Sequence, residues 1–366
     1  MATPEHFEQS AACHPAVLEL VPSPMIPHQR DGGFLDQPEE NYNLPVRLVP
    51  ELGRISMQHS RLVQYADDEA PRLRRTMSIQ LGKVSHSARI TEPDSRNPRN
   101  TSAIDTVVML HGYTEMIDAG TGKNLHDALA PHYPDKRLIS IATDGVGRYC
   151  QRVGWVDALR KDFSTMARDR HRLINVLAGT GKVTLLDVSM GSVIGIELLH
   201  FDSLLPDDVP IDHPLDRRLN FDAIIHHSSA QVPPGRIISD MIIRFLPHIY
   251  KDGLRVHGSM PHRAQGLLKV ALAYPRSTPA LIGNLIHLLM GIDPRKVASL
   301  AAKFPTGYIS GEHDPLAQNK CHLDLSANNP KNVSVYIKPG AGHADCLNAA
   351  VAAQDVVDMH RLVSNR

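Results

Sequence analysis

Three residues of this 366-residue chain carry the side chains from which a nucleophilic site could be built. Ser189 stands in Asp187-Val188-Ser189-Met190-Gly191, Asp314 in Gly311-Glu312-His313-Asp314, and His343 in Pro339-Gly340-Ala341-Gly342-His343. A serine hydroxyl is a weak nucleophile until a base takes its proton, and an imidazole serves best as that base when a third group orients it. A fourth segment, His111-Gly112-Tyr113, follows an apolar run in the same manner. Each segment also has an ordinary reading: a strand end, a turn or helix cap at the aspartate, a surface loop at the histidine.

The elements around these residues give the segments their weight. Continuous apolar runs at 106–110 (TVVML), 138–142 (LISIA) and 183–188 (VTLLDV) read as strands buried on both faces of a parallel sheet. Strand-like runs recur at 221–226, 307–310 and 333–337. Between them lie helical periods: 125–129, a long one over 155–177, one beginning at 193–199, and a last one from about 349 to the end. Residues 75–81 and 84–90 alternate as the arms of a hairpin around Gly82. Strands alternating with helices predict right-handed βαβ units in an α/β, doubly wound, mostly parallel sheet. Ser189, Asp314 and His343 each fall just past the carboxyl end of a predicted strand, where open α/β sheets place their sites.

With the elements in place, the serine segment resembles the G-x-S-x-G nucleophile elbow of the α/β-hydrolase fold serine hydrolases, of the esterase- and lipase-like kind with a lid insertion. The chain order Ser189, Asp314, His343 is the order of that family. The resemblance implies Ser189 as nucleophile, His343 as general base and Asp314 as the carboxylate that orients it, with Glu312 the weaker match for the acid. It implies an oxyanion hole from the backbone N–H groups of Tyr113 and Met190, with His111, Gly112 and Gly191 completing the motifs. Asp187 departs from the pattern, which has glycine there; a carboxylate at that point needs room or a partner. The segment Asp144-Gly145-Val146-Gly147-Arg148 is similar to a family loop, D-x-P-G-x-G, without its proline. The resemblance runs from about Arg75 to the end.

The N-terminal region reads differently. Residues 1–50 are rich in Pro, Glu, Asn and His without sustained period, and 51–72 carry a weak helical pattern. An arm over 1–72, in part disordered or wrapped on the core, is expected ahead of a hydrolase domain over 73–366. Within that domain, about 230–303 breaks the alternation with apolar helical stretches at 237–245, 267–273 and 281–290 and reads as a helical lid between two core strands.

Composition narrows the function classes. Lys+Arg and Asp+Glu both number 39, so no net positive charge marks a nucleic-acid surface. The four Cys are far apart and form no C-x-x-C pair, which favours free thiols in a reducing compartment over a zinc site or disulfide framework. No basic start with an apolar run opens the chain, and no apolar stretch is long enough for a transmembrane segment, so a cytoplasmic protein is expected. The run Ala178-Gly179-Thr180-Gly181-Lys182 fails as a phosphate loop because Val176 and Val183 occupy its glycine and hydroxyl positions. His226-His227 fails as a metal pair because adjacent strand residues point to opposite faces.

The expected function is hydrolysis of a carboxylic ester through an acyl-enzyme, with no cofactor and no metal. The small-molecule substrate is expected to have a hydrophobic acyl group, on the strength of the apolar residues in 230–303. Thioester hydrolysis, carbon–carbon bond hydrolysis and acyl transfer would use the same triad, and a non-catalytic binding protein could keep the fold.

Overall fold

The computed structural model describes residues 52–65, 71–81, 84–93, 104–112, 117, 120–146, 154–206, 217–230, 277–317, 319–343 and 348–365. Residues 1–51 and 66–70 of the expected arm over 1–72, the 237–245 and 267–273 stretches, Gly147, Arg148 and Tyr113 lie outside them.

One nine-stranded sheet organises the described residues, in the order β1-β2-β3-β5-β4-β6-β7-β8-β9. β1 (Leu52–Val63), β2 (Arg72–Leu81) and β3 (Val84–Thr91) form an antiparallel meander, and β3 runs antiparallel to β5 (Arg137–Ile141). From β5 onward the strands are parallel: β4 (Thr106–Leu110), β6 (Val183–Val188), β7 (Phe221–His227), β8 (Thr306–Gly311) and β9 (Val333–Lys338).

The continuous apolar runs follow from helices on both faces. Val107, Met109, Leu186 and Val188 pack toward α1 (Gly120–Leu129) and the C-terminal helix, here α8 (Ala349–Ser364). Their neighbours Val108, Leu110, Val183 and Leu185 pack toward α3 (Phe163–Ala178) and α4 (Gly191–Leu204). With period two and both faces covered, every residue of such a strand must be apolar or internally bonded.

Two expectations are corrected. The helical pattern over 51–72 gives way to strands, because β1 lies along β2 from Leu52↔Leu81 to Val63↔Arg72. A weak local preference is overridden once a partner edge can take up the whole ladder. Arg72 then anchors the meander: its buried guanidinium donates to the carbonyls of Glu92, Ala130, Tyr133 and Lys136. The long helix over 155–177 is two helices, α2 (Trp155–Arg160) and α3. Lys161 leaves helical geometry at ψ 87 and pairs with Asp144 and Asp169. Asp162 then caps α3 by accepting from Thr165 N–H at 2.9 Å.

Between β7 and β8 the described residues hold α5 (Thr278–Met290) and α6 (Pro294–Ala301). α5 contains the predicted 281–290 stretch and meets α3 through Phe163 and His287. The last connection, between β8 and β9, carries α7 (Asn319–Asn328).

The order also locates the cleft. The chain leaves β4 for β5 on one side and returns to β6 on the other, so the connections diverge above the carboxyl ends of β4 and β6, the switch point at which open α/β sheets bind ligands. His111 follows one of these strands and Ser189 the other.

Candidate active site

Ser189 caps β6 in the left-handed region, φ +52, and α4 begins two residues later. A non-glycine residue there is strained by roughly 1–2 kcal/mol. The turn is tight because Gly191 lies against the end of β4: a Cβ on it would stand 2.3 Å from the Leu110 carbonyl oxygen. That contact sets the serine elbow directly beside His111 and Gly112, both buried.

The other two predicted residues arrive from β8 and β9. Ser189 Oγ lies 3.0 Å from His343 Nε2, and His343 Nδ1 lies 2.8 Å from Asp314 Oδ2. A carboxylate only accepts, so Nδ1 carries the proton donated to Asp314 and Nε2 is left to accept from the serine hydroxyl. All three are nearly buried, at 8%, 6% and 6% exposure for Ser189, Asp314 and His343. The loops that present the acid and the histidine are laced together: His313 N–H donates to Ala341 O and Gly340 N–H to Glu312 Oε2. Glu312 is thereby engaged with the histidine loop's backbone, and Asp314 is the carboxylate on the imidazole. The second oxygen of Asp314 accepts from Leu316 N–H at 2.9 Å.

Of the two expected oxyanion donors, Met190 is buried in the first turn leading into α4, where its N–H has no intrahelical acceptor. Tyr113 lies outside the described residues.

Asp187 finds both the room and the partner it needs. The register sets it beside His226 on β7, whose Nδ1 lies 2.8 Å from each carboxylate oxygen. Burial pushes the Asp187 carboxyl above its ordinary value, and His226 opposes that rise. The room comes from α4: a Cβ on Gly195 would stand 2.3 Å from Asp187 Oδ2. Gly195 therefore does for this chain what the motif's first glycine does elsewhere, one turn further along the helix. Substituting Gly195→Ala should destabilise the fold by about 2–3 kcal/mol through overpacking. In an Asp187→Gly background the same change should be neutral or stabilising by up to about 1 kcal/mol, as expected of Ala replacing Gly within a helix. Denaturant unfolding of the four proteins in this cycle measures the coupling, and additive effects would refute the steric account.

His226 continues a buried ring stack. It lies on Tyr308 at 4.7 Å, and Tyr308 lies on His322 of α7 at 4.3 Å. Burial, aided by His226, drives the His322 imidazole down to about 3, and Asp314 acts against the shift. Sequence reasoning rejects His226 as a metal ligand and gives no signal for His322. It also passes over Asn319, which donates to Gly311 O at 2.9 Å and accepts from Ser310 Oγ, bracing the acid loop. None of these carries a local motif; only cross-strand register could have revealed them.

No family model and no curated protein sequence matches the chain. Solved structures do. A proline iminopeptidase of Mycobacterium smegmatis superposes with TM-score 0.51 at 15% identity, covering 78% of this chain and 99% of that one. A thermophilic esterase of Thermogutta terrifontis gives 0.50 at 16%, covering 81% and 100%. A 2-hydroxy-6-oxo-6-phenylhexa-2,4-dienoate hydrolase of Rhodococcus sp. strain RHA1 gives 0.50 at 15%, covering 79% and 99%. The chain has the α/β-hydrolase fold, and these structural neighbours are hydrolases.

Proposed function

We propose that the protein is a serine hydrolase that cleaves a carboxylic ester through a covalent acyl-enzyme. One observation carries the reading: a serine held at φ +52 at the switch point, in line with His343 at 3.0 Å and Asp314 at a further 2.8 Å. In this reading His343 Nε2 takes the Ser189 proton as Oγ bonds to the ester carbonyl carbon. The carbonyl electron pair moves onto oxygen, where the Met190 N–H and a second donor, assigned to Tyr113, stabilise it. The tetrahedral intermediate collapses, the ester C–O bond breaks, and the imidazolium gives its proton to the departing alkoxide. Water then repeats the sequence on the acyl-enzyme, releases the acid and restores Ser189. Asp314 keeps the imidazole in the required tautomer and stabilises its charged form.

A hydrophobic acyl group is supported by the apolar residues between β7 and β8, of which α5 holds Leu281, Leu285 and Leu288. No helix among the described residues is long and apolar enough to cross a membrane, and a cytoplasmic location belongs to this proposal.

The test is labelling of the intact protein by a fluorophosphonate, with peptide mapping. One adduct on Ser189, absent from Ser189→Ala, is the expected result. A folded protein that takes no adduct would overturn the reading in favour of a non-catalytic role. Turnover of p-nitrophenyl esters against the matching thioesters then separates ester from thioester preference.

A further inference from the structure

Resting on that reading, we infer that Ser192 is a positioning residue that aims and polarises the Met190 N–H at the reacting oxygen. The nucleophile's own backbone is held at both its N–H and its carbonyl. Ser189 N–H donates to His227 O at 3.0 Å. Ser189 O accepts from Ser192 Oγ at 2.6 Å, from Ser192 N–H at 3.1 Å and from Ala230 N–H at 3.2 Å. Ser192 Oγ is itself fixed, accepting from Ser229 Oγ at 2.8 Å and from Ala230 N–H at 3.1 Å. To bring Ala230 back onto the elbow the chain turns through Ser228, the second non-glycine residue at positive φ, +50, among the described residues. Ser192, Ser228 and Ser229 are fully buried, so this clasp works without competition from water.

The consequence follows from peptide planarity. The carbonyl of Ser189 and the N–H of Met190 belong to one peptide unit, and in a trans peptide they point in opposite directions. Three donors, one of them a hydroxyl at 2.6 Å, draw the carbonyl into the protein. The Met190 N–H is thereby turned the other way and held there. Donation to the carbonyl oxygen also shifts charge along the amide, which strengthens its N–H as a donor. An oxyanion donor works only if it is fixed before the charge forms, and loss of one typically costs about 10²–10³ in rate. A donor loosened but not removed should cost less.

Ser192→Ala is accordingly expected to lower kcat about 10- to 100-fold, a fraction of the loss for deleting a donor, with KM within about threefold of wild type. Binding of a trifluoromethyl ketone, whose hydrated or serine-bound oxygen mimics the tetrahedral state, should weaken by the same factor as kcat/KM, and the pH–rate profile should keep its midpoint because the base is untouched. Ser229→Ala, which removes one support of the Ser192 hydroxyl, should lower kcat in the same direction by about three- to tenfold, which covers the case in which Ser192→Ala does not fold. If wild type takes the fluorophosphonate on Ser189 while either folded variant keeps full kcat, or loses kcat with unchanged ketone binding, the role of Ser192 is refuted and the proposed function stands. If wild type takes no label, the proposed function falls first.

Discussion

Replacing Ser189 by alanine should reduce ester turnover by about 10⁴–10⁶, and His343→Ala should do the same. The two changes together should be no worse than either alone, because hydroxyl and imidazole act as one unit: without the base the serine is barely nucleophilic, and without the serine the base has no proton to move. Asp314→Asn should cost less, roughly 10³–10⁴, since it presents the wrong group to His343 Nδ1 and leaves the other partners in place. Stability should move independently of activity. Ser189 sits at φ +52, so Ser189→Gly should abolish turnover yet raise stability by about 1 kcal/mol, whereas Ser189→Ala keeps the strain. Steady-state kinetics beside denaturant melts of the five variants check this. Ser189→Ala with near-normal turnover, or a Ser189→Gly protein less stable than Ser189→Ala, would show that the elbow is not what holds the nucleophile.

A loss of fold stability on mild acidification is the second large effect. His322 is lowered to about 3 and His360 to about 4, both chiefly by burial. His86 and His126 are lowered for the same first reason. In the unfolded chain such imidazoles titrate near an ordinary value of about 6.5. Below that pH the unfolded state binds protons that the native state refuses, so stability is full above about 6.5 and falls as the pH drops toward each lowered value. At about 1.4 kcal/mol per pH unit and proton, His322 and His360 each remove roughly 2 kcal/mol between pH 6.5 and 5.0. His322 and His360 together remove about 4 kcal/mol, a large share of the 5–15 kcal/mol that holds a typical domain. Asp187 and Asp355 work in the opposite sense, since their raised values favour proton uptake by the native state. Asp144, held well below its ordinary value by Arg170, His86 and Lys161 against the effect of burial, adds its own loss only at lower pH. Urea unfolding at pH 7.5 and 5.0 measures the drop. His322→Phe, which retains a ring on Tyr308, should lessen it by about 2 kcal/mol; equal stability at the two pH values would discard the account. Activity at acid pH must be read on the folded fraction alone, because this unfolding runs in the same direction as protonation of a histidine base.

Much of the molecule was legible in the chain itself. The runs at 106–110 and 183–188 became β4 and β6 residue for residue, because a strand covered on both faces must be apolar throughout and few other elements are. The hairpin was legible because Met77, Ile79 and Leu81 alternate with polar residues in the sequence, and β2 and β3 do pair up to Leu81↔Val84. The serine, acid and histidine segments could be picked out because each pairs a chemical side chain with a turn directly after a strand. The reading failed where long-range pairing overrode local pattern. Leu52–Val63 has the sequence of an indifferent helix and becomes a strand because β2 offers an edge. The break at Lys161 and Asp162 was hidden by a hydrophobic period that continues across it.

By itself, then, the sequence determined the alternating α/β class, the strand ends at which chemistry is placed, and the side chains available there, since these depend on periodicity and on neighbours a few residues away. Tertiary structure alone decided what those side chains meet. Ser189 and His343, 154 positions apart in the chain, close to 3.0 Å only through the order of the strands. Asp187 becomes tolerable only because the register sets His226 beside it and α4 places Gly195 opposite. Ser229, an ordinary serine in the sequence, reaches the Ser192 hydroxyl, and Ala230 N–H reaches the nucleophile's carbonyl, only when β6 and β7 lie side by side. Such contacts join residues distant along the chain, and what sets them is the packing of the whole sheet.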